Sequence, residues 1–562
     1  MPVDGYMENP FALRDDDLAK LCAIREALLD PSPRRIGRLD QWGMADIYET
    51  YAEVAAYDEF PISMSDGTRI DAALSVPRDR ASGQTCPTIL MPAPLNRIGR
   101  LACVGLLPRW ALGGYAVLSY SQRGLAESGG EIQFSGPQDI ADASEIIDWL
   151  SGHRSVAADR IGCFGASYGA GTGLLLAARD QRIKAVVGTS AWGNLLTSLC
   201  ENGTRRTKAF EALVALFGED RCSKEFRAVI EKIRDNDIDD EVREFARLRS
   251  PNHYLRAYND AQTPIMLTTS WHETIFPAPA VVDLFTGLQC PKSLLIQIGD
   301  HGNSELPGLL GAVSKPTEMA YRWMDHFLGG NAGDGVAPRF GVRSEYMHNL
   351  LSDLSHPDWE SCNLPKVRLY LTGASAGRRD AQMTESRPEP GWARPVAATG
   401  KETQVVVAPK LVRTGLAERA GLPQVYRTAE IDRDLAAIWT AAPAEHPMRI
   451  QGDLDLQLTV TSDQRNTTIV AYLMDSDPVS GEATIITHAP FTLGGGRPSR
   501  TAIATFALHP VHYVLAKGRQ LQLVIATHDP SYADANTAPA VISIGSPRGA
   551  ESCLDIPIRA LR

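Results

Sequence analysis

Three residues of this chain have the types and the order that acyl-transfer chemistry needs: Ser167, Glu273 and His301. The serine stands in Gly165-Ala166-Ser167-Tyr168-Gly169, where the apolar run "RIGCFG" ends as a strand would. A G-x-S-x-G segment in that context predicts a nucleophile elbow, the sharp strand-to-helix turn that lifts a hydroxyl above a sheet. A serine hydroxyl needs a base to take its proton and a carboxylate to fix the tautomer of that base and stabilise the imidazolium. Glu273 follows the run "PIMLTTS" and His301 follows "SLLIQIG", so both fall just past later strand ends, in the order Ser, acid, His. Asp260, Asp283 and Asp300 compete for the acid role. Asp300 adjoins the histidine and is too close in the chain to reach its ring easily, and Asp283 belongs on the following helix. Glu273 is the acid adopted here.

The elements around these residues read as an open parallel sheet. Short apolar runs rich in β-branched residues, "TILMP" (88–92), "YAVLSY" (115–120), "RIGCFG" (160–165), "KAVVGTS" (184–190), "PIMLTTS" (264–270) and "SLLIQIG" (293–299), alternate with helical stretches. Such continuous apolar strands are buried on both faces, and active groups lie beyond their carboxyl ends. Residues 1–58 are charged and helix-leaning and form an N-terminal extension. The α/β part then occupies 59–195 and 256–340, split by a helical cap at 196–255 whose period is 3.6 and whose outer face is charged. From 345 to 562 short alternating runs such as "DLDLQLTVTS" and "TTIVAYLMDS" predict an all-β domain, read as a jelly roll.

The bulk properties narrow the function classes. At 562 residues the chain is too long for one core. A net charge of −11 leaves no basic face for nucleic acid or anionic lipid. No run of about eighteen apolar residues occurs, so no membrane span is expected. The start, "MPVDGYMENPFALRDDDLAK", carries acids where a signal peptide carries bases. The nine cysteines are scattered without a C-x-x-C pair, which favours reduced thiols over disulfides or zinc. A cytoplasmic enzyme with no metal and no cofactor is expected, acting on a small molecule; a homo-oligomer is left open.

Several segments carry a more specific resemblance. The elbow Gly165-Ala166-Ser167-Tyr168, the hairpin "MSDGTRIDAALSVP", the stretch "GGYAVLSYSQRGLAESGGE" with Arg123-Gly124, and Trp271-His272-Glu273-Thr274 resemble the cocaine esterase and X-prolyl dipeptidyl-peptidase family of α/β-hydrolases, which includes the α-amino acid ester hydrolases. The tail segments "IQGDLDLQLTVTSDQRNTTIVAYLMDSDPVSGEATIITHAPF" and "HPVHYVLAKGRQLQLVIATHD" resemble its C-terminal jelly roll. The resemblance implies a serine hydrolase with a helical cap and a β-domain walling one side of the pocket. The chain departs from it in three places. The acid is Glu rather than Asp, Ser121 replaces the aspartate before Arg-Gly, and "MPAPLNR" places Leu95 where a tyrosine hydroxyl usually faces the oxyanion. The Tyr168 N–H remains as a donor, with the Leu95 or Asn96 backbone or the Asn96 side chain as the second. Removing one such donor commonly costs about 10²–10³ in turnover. Trp271 and His272 are candidate pocket residues, and the Tyr168 side chain is expected near the acyl group.

The function expected from these residues is cleavage of a small-molecule ester or amide through an acyl-Ser167 intermediate. Alternatives are acyl transfer or cyclisation on the same triad, aminoacyl hydrolysis of the X-prolyl dipeptidyl-peptidase kind, and a non-catalytic binding protein. An ester is favoured because no carboxylate cluster suited to a substrate amine stands out.

Overall fold

The structure, a computed structural model, describes residues 13–561 apart from 79–83, 330–337, 348, 495–499 and 537–538. The first twelve residues of the expected extension lie outside the described residues.

Each of the six apolar runs forms a strand of one ten-stranded sheet. Its order is 55–63, 69–77, 116–120, 86–92, 156–166, 183–189, 265–270, 292–297, 341–346, 349–356. The strands from 116–120 to 341–346 are parallel, and the pairs at the two edges are antiparallel. Cys86–Pro92 and Ala116–Tyr120 are buried throughout, as strands covered on both faces must be. The period of two sends neighbouring side chains to opposite sides. Ile89 and Met91 pack with residues of the helices Asp15–Leu29, Ala45–Val54 and Lys315–Leu328. Leu90 packs with residues of Pro137–Ser151, Tyr168–Ala177 and Ala278–Gly287 on the other face. The N-terminal helices are therefore one cover of the sheet, and the first strand begins at Ala55, within the extension.

Between the strands 183–189 and 265–270 the chain leaves the sheet and builds the cap from Leu195–Leu199, Thr207–Phe217, Lys224–Arg234 and Asp240–Leu248. Ser223 and Asp239 cap two of these helices by accepting from Phe226 N (3.2 Å) and Val242 N (3.0 Å). The apolar stripe Phe226, Val229, Ile230, Ile233 turns inward and joins a cluster that contains Leu95, Tyr168 and Phe276.

The second part of the chain is β-rich, with twelve strands in one connected sheet system whose longest pairing joins Met448–Ser462 to Arg500–Leu515. The α/β-hydrolase class followed by a β-domain is the architecture expected. Two features differ from the sequence reading. Gly341–Tyr346 and Asn349–His356 extend the first sheet, so the stretch after 345 does not pass at once into the β-domain. An edge strand with one wet face alternates just as a sandwich strand does, and period alone cannot assign it. A helix, Arg413–Arg419, also lies inside the β-region. The two parts share one core, in which Trp271, Val281 and Phe285 belong to the same apolar cluster as Trp359, Leu454 and Tyr513.

Candidate active site

Ser167 sits at φ 51° and ψ −115°, between the strand Val156–Ala166 and the helix Tyr168–Ala177. A non-glycine residue at positive φ is strained, and such strain persists only where the surroundings enforce it. Here the flanking glycines make room. A Cβ on Gly165 would lie 2.2 Å from Gly169 O, and one on Gly169 would lie 2.1 Å from Pro92 O. The Ser167 N–H donates to Thr189 O (2.8 Å) and ties the turn to the next strand.

Ser167 Oγ lies 2.7 Å from His301 Nε2, and His301 Nδ1 lies 2.9 Å from Glu273 Oε1. With Nδ1–H donating to the carboxylate, Nε2 carries the lone pair and can accept from the serine hydroxyl. Glu273 Oε1 also accepts from Ile275 N (3.0 Å) and Phe276 N (3.2 Å), which holds the carboxylate in place. Burial is the largest influence on the His301 pKa and pulls it down, but the Glu273 carboxylate, with Glu305 and Asp300, outweighs it and leaves the pKa above the ordinary 6.5. Phe276 stands edge-on to the imidazole with ring centroids 5.4 Å apart.

Asp300, the rival acid, faces elsewhere. Its Oδ1 accepts from Thr274 N (2.7 Å), Thr274 Oγ1 (2.9 Å) and the His301 backbone N–H (2.7 Å). It clamps the acid loop to the base loop without touching the ring. Burial, and then the charge of Glu273, raise its pKa. Asp283 lies on the helix Ala278–Gly287, as its position in sequence implied.

Tyr168 is the first residue of its helix, so its N–H has no acceptor within the helix. Its hydroxyl donates to Asp139 Oδ2 (3.2 Å) and accepts from Ser135 N (3.1 Å), which turns the phenol toward that loop rather than leaving it free for an acyl group. Leu95 is buried in the apolar cluster with Tyr168, just past the strand Cys86–Pro92. The loop there is held by Gln122 Nε2 donating to Ala93 O (2.8 Å). The Asn96 side chain closes on its own loop, donating one N–H to Pro94 O (3.0 Å) and accepting from Ile98 N (2.9 Å).

Trp271 and His272 also have protein partners. Trp271 is buried in the core and donates Nε1–H to Glu345 O (2.8 Å). His272 Nε2 lies 2.5 Å from Glu418 Oε2 of the Arg413–Arg419 helix. Both line a cavity of about 30 Å³ together with Glu273, His488 and His509. The residues at the R-G segment, the departing Ser121 and the matching Arg123, have protein partners too. Ser121 Oγ donates to Asp71 Oδ2 (2.9 Å), and Arg123 forms a two-point pair with Asp142 (2.8 and 2.6 Å).

Sequence reasoning missed the contribution of the β-domain helix. Arg419 Nη1 donates to Ile298 O (2.9 Å) and to Ser304 Oγ (2.9 Å), bracketing the loop that carries His301. Glu305 was missed as well; it accepts from Ser190 Oγ (2.6 Å) and adds negative charge near the imidazole. Neither has a local signal, because each acts through a partner distant in sequence.

Comparison with known proteins agrees with this arrangement of domains. The X-Pro dipeptidyl-peptidase (S15 family) model matches residues 66–303. The model of the X-Pro dipeptidyl-peptidase C-terminal non-catalytic domain matches residues 334–547. A CocE/NonD family hydrolase from Staphylococcus aureus superposes with a TM-score of 0.66 at 14% identity, covering 90% of this chain and 94% of that one. An α-amino acid ester hydrolase superposes with a TM-score of 0.62 at 14% identity, covering 90% and 97%. A curated relative, an uncharacterized 31.7 kDa protein of the traX-finO intergenic region of Escherichia coli, is 31% identical over 103 residues. That match takes in 18% of this chain and 36% of the relative, so the chain spans little more than a third of the length of the curated protein it matches. With both of its domains matched in order along the sequence, the chain belongs to the X-Pro dipeptidyl-peptidase S15 family of α/β-hydrolases.

Proposed function

We propose that this protein is a serine hydrolase that cleaves a small-molecule ester or amide through an acyl-Ser167 intermediate. The observation that carries the reading is the chain of contacts Ser167 Oγ–His301 Nε2 (2.7 Å) and His301 Nδ1–Glu273 Oε1 (2.9 Å), built on a strained elbow. His301 takes the Ser167 proton as the hydroxyl attacks the carbonyl carbon, then gives it to the leaving alcohol or amine. Water repeats the cycle and releases the acid. The Tyr168 N–H is the first oxyanion donor. The loop at Leu95 supplies the second through its backbone, since leucine has no hydroxyl and the Asn96 side chain is engaged.

Esters are the favoured substrates. Glu305, a carboxylate in the field of His301, is buried and has one oxygen taken by Ser190, which does not suit it to hold a substrate amine. The test is labelling of Ser167 by an alkyl fluorophosphonate, followed by turnover on p-nitrophenyl esters and aminoacyl anilides of graded size. Absence of labelling at Ser167 would defeat the reading. Anilides turned over faster than matched esters would move the assignment to peptides.

A further inference from the structure

We propose that Arg206, a residue of the cap, is a positioning residue for the acid of the triad, pinning the backbone after Glu273 and setting a fixed positive charge beside that carboxylate. The proposal rests on the reading of Ser167, His301 and Glu273 given above.

Arg206 is almost wholly buried, at 4% exposure. Its Nη2 donates to Thr274 O (2.8 Å), the carbonyl of the residue that follows Glu273. Its Nη1 donates to Glu201 Oε2 (2.8 Å) and to Tyr532 OH (3.3 Å). Glu201 Oε1 in turn lies 2.5 Å from His509 Nε2, and Tyr532 OH lies 2.7 Å from His488 Nε2. One guanidinium thus joins Glu201 of the cap, the loop after Glu273 and Tyr532 of the β-domain. A planar guanidinium reaches these acceptors from two separate nitrogens, whereas an ammonium has its donors on one atom.

Thr274 is held from both sides. Its N–H donates to Asp300 Oδ1 (2.7 Å) while its carbonyl receives Arg206, so the peptide next to Glu273 has little freedom. The charge matters as much as the contact. Burying a guanidinium is costly unless it is paired, and burial lowers the pKa of Arg206 while Tyr532, Glu201 and then Glu273 raise it. Glu273 and Asp300 are two buried carboxylates in each other's field, and only Glu273 meets the imidazole. Glu273 is set against the Ile275 and Phe276 N–H groups and the His301 ring, and the Arg206 guanidinium lies in its field. Asp300 and Glu305 add negative charge near the same imidazole without a hydrogen bond to its ring, and His272 pairs with Glu418.

The test uses the full chain and an alkyl fluorophosphonate, comparing wild type with Arg206→Met and Arg206→Lys. Arg206→Met lowers the maximal rate of Ser167 labelling by about thirtyfold or more, while the half-saturating probe concentration changes by less than about threefold. Arg206→Lys keeps the charge but loses the fork, and labels about three- to tenfold slower than wild type. The low-pH limb of labelling moves to higher pH in Arg206→Met, because a cation no longer opposes protonation of His301, and stays in place in Arg206→Lys. A folded Arg206→Met that labels within about threefold of wild type overturns the proposal, as does a loss confined to the half-saturating concentration. Equal losses in both variants with an unmoved limb overturn it too, since they show a merely structural residue. If Arg206→Met does not fold, Arg206→Lys decides alone: wild-type labelling over the whole pH range overturns the proposal. Wild-type protein that fails to label defeats the triad reading instead, so the two failures are distinct.

Discussion

Ser167 and His301 sit in geometry that needs no rearrangement for proton transfer, which makes their individual removal the sharpest expectation at the residue scale. Ser167→Ala and His301→Ala each lower turnover of an activated p-nitrophenyl ester by about 10⁴–10⁶-fold, and the double variant is no worse than either single one. Additive losses measured by steady-state kinetics would mean the two do not act as a unit. For the acid, Glu273→Gln keeps the shape but cannot stabilise the imidazolium, and drops turnover by about 10³–10⁴-fold. Asp300→Asn leaves the acceptor for Thr274 N and His301 N and is the milder change; finding it the more damaging one transfers the role to Asp300. The pH profile follows from the base. His301 must be neutral to accept the proton, and its pKa lies above 6.5, so activity is lost as pH falls through a midpoint above that value. A low-pH limb of kcat/KM with its midpoint below 6.5 contradicts this.

At the scale of elements, the elbow depends on the close approach of one helix to the end of a neighbouring strand. Gly169→Ala places a methyl carbon 2.1 Å from Pro92 O, a backbone atom that cannot swing aside. The expected cost is about 1–3 kcal/mol of stability with reduced turnover, read by thermal unfolding and ester hydrolysis. Unchanged stability would show that the strand end yields. Much of this element was legible beforehand: the run ending at Gly165, the serine between glycines and the strands bearing Glu273 and His301 all show in local pattern. The sequence sets Asp300 aside because it adjoins His301 in the chain, and the three-dimensional reason is different. Asp300 is turned away because its oxygens satisfy Thr274 and the His301 backbone. The strand Asn349–His356 joins the first sheet although it lies past residue 345, since alternation reports one wet face and says nothing of which sheet a strand joins.

On the scale of the whole molecule, the β-domain reaches the loops that carry Glu273 and His301. Glu418 and Arg419 contact those loops, and His509 and Tyr532 contact the cap. The shared core also joins Trp271 and Val281 to Leu454 and Tyr513. A chain ending near residue 360, after the last strand of the first sheet, exposes that apolar surface and frees the His301 loop. It is expected to be insoluble or, if soluble, to lose at least about 10²-fold in fluorophosphonate labelling. A soluble truncation that labels at the full rate would make the β-domain an independent module.

What the sequence determined by itself was the local and periodic part: a parallel sheet from continuous apolar strands, a helical cap from its 3.6 period, a β-rich second half, and a serine placed on a strand-to-helix turn. Those patterns arise from backbone geometry and burial within a few residues of one another. The tertiary structure decided which carboxylate meets the imidazole and that Tyr168, Trp271, His272 and Asn96 have their polar groups engaged by the protein. It also decided that a helix at 413–419 braces the base loop and that Arg206 reaches the acid loop. Each of these depends on a pair of groups brought together by folding, and a side chain's partner across the fold leaves no trace in the spacing of its own segment.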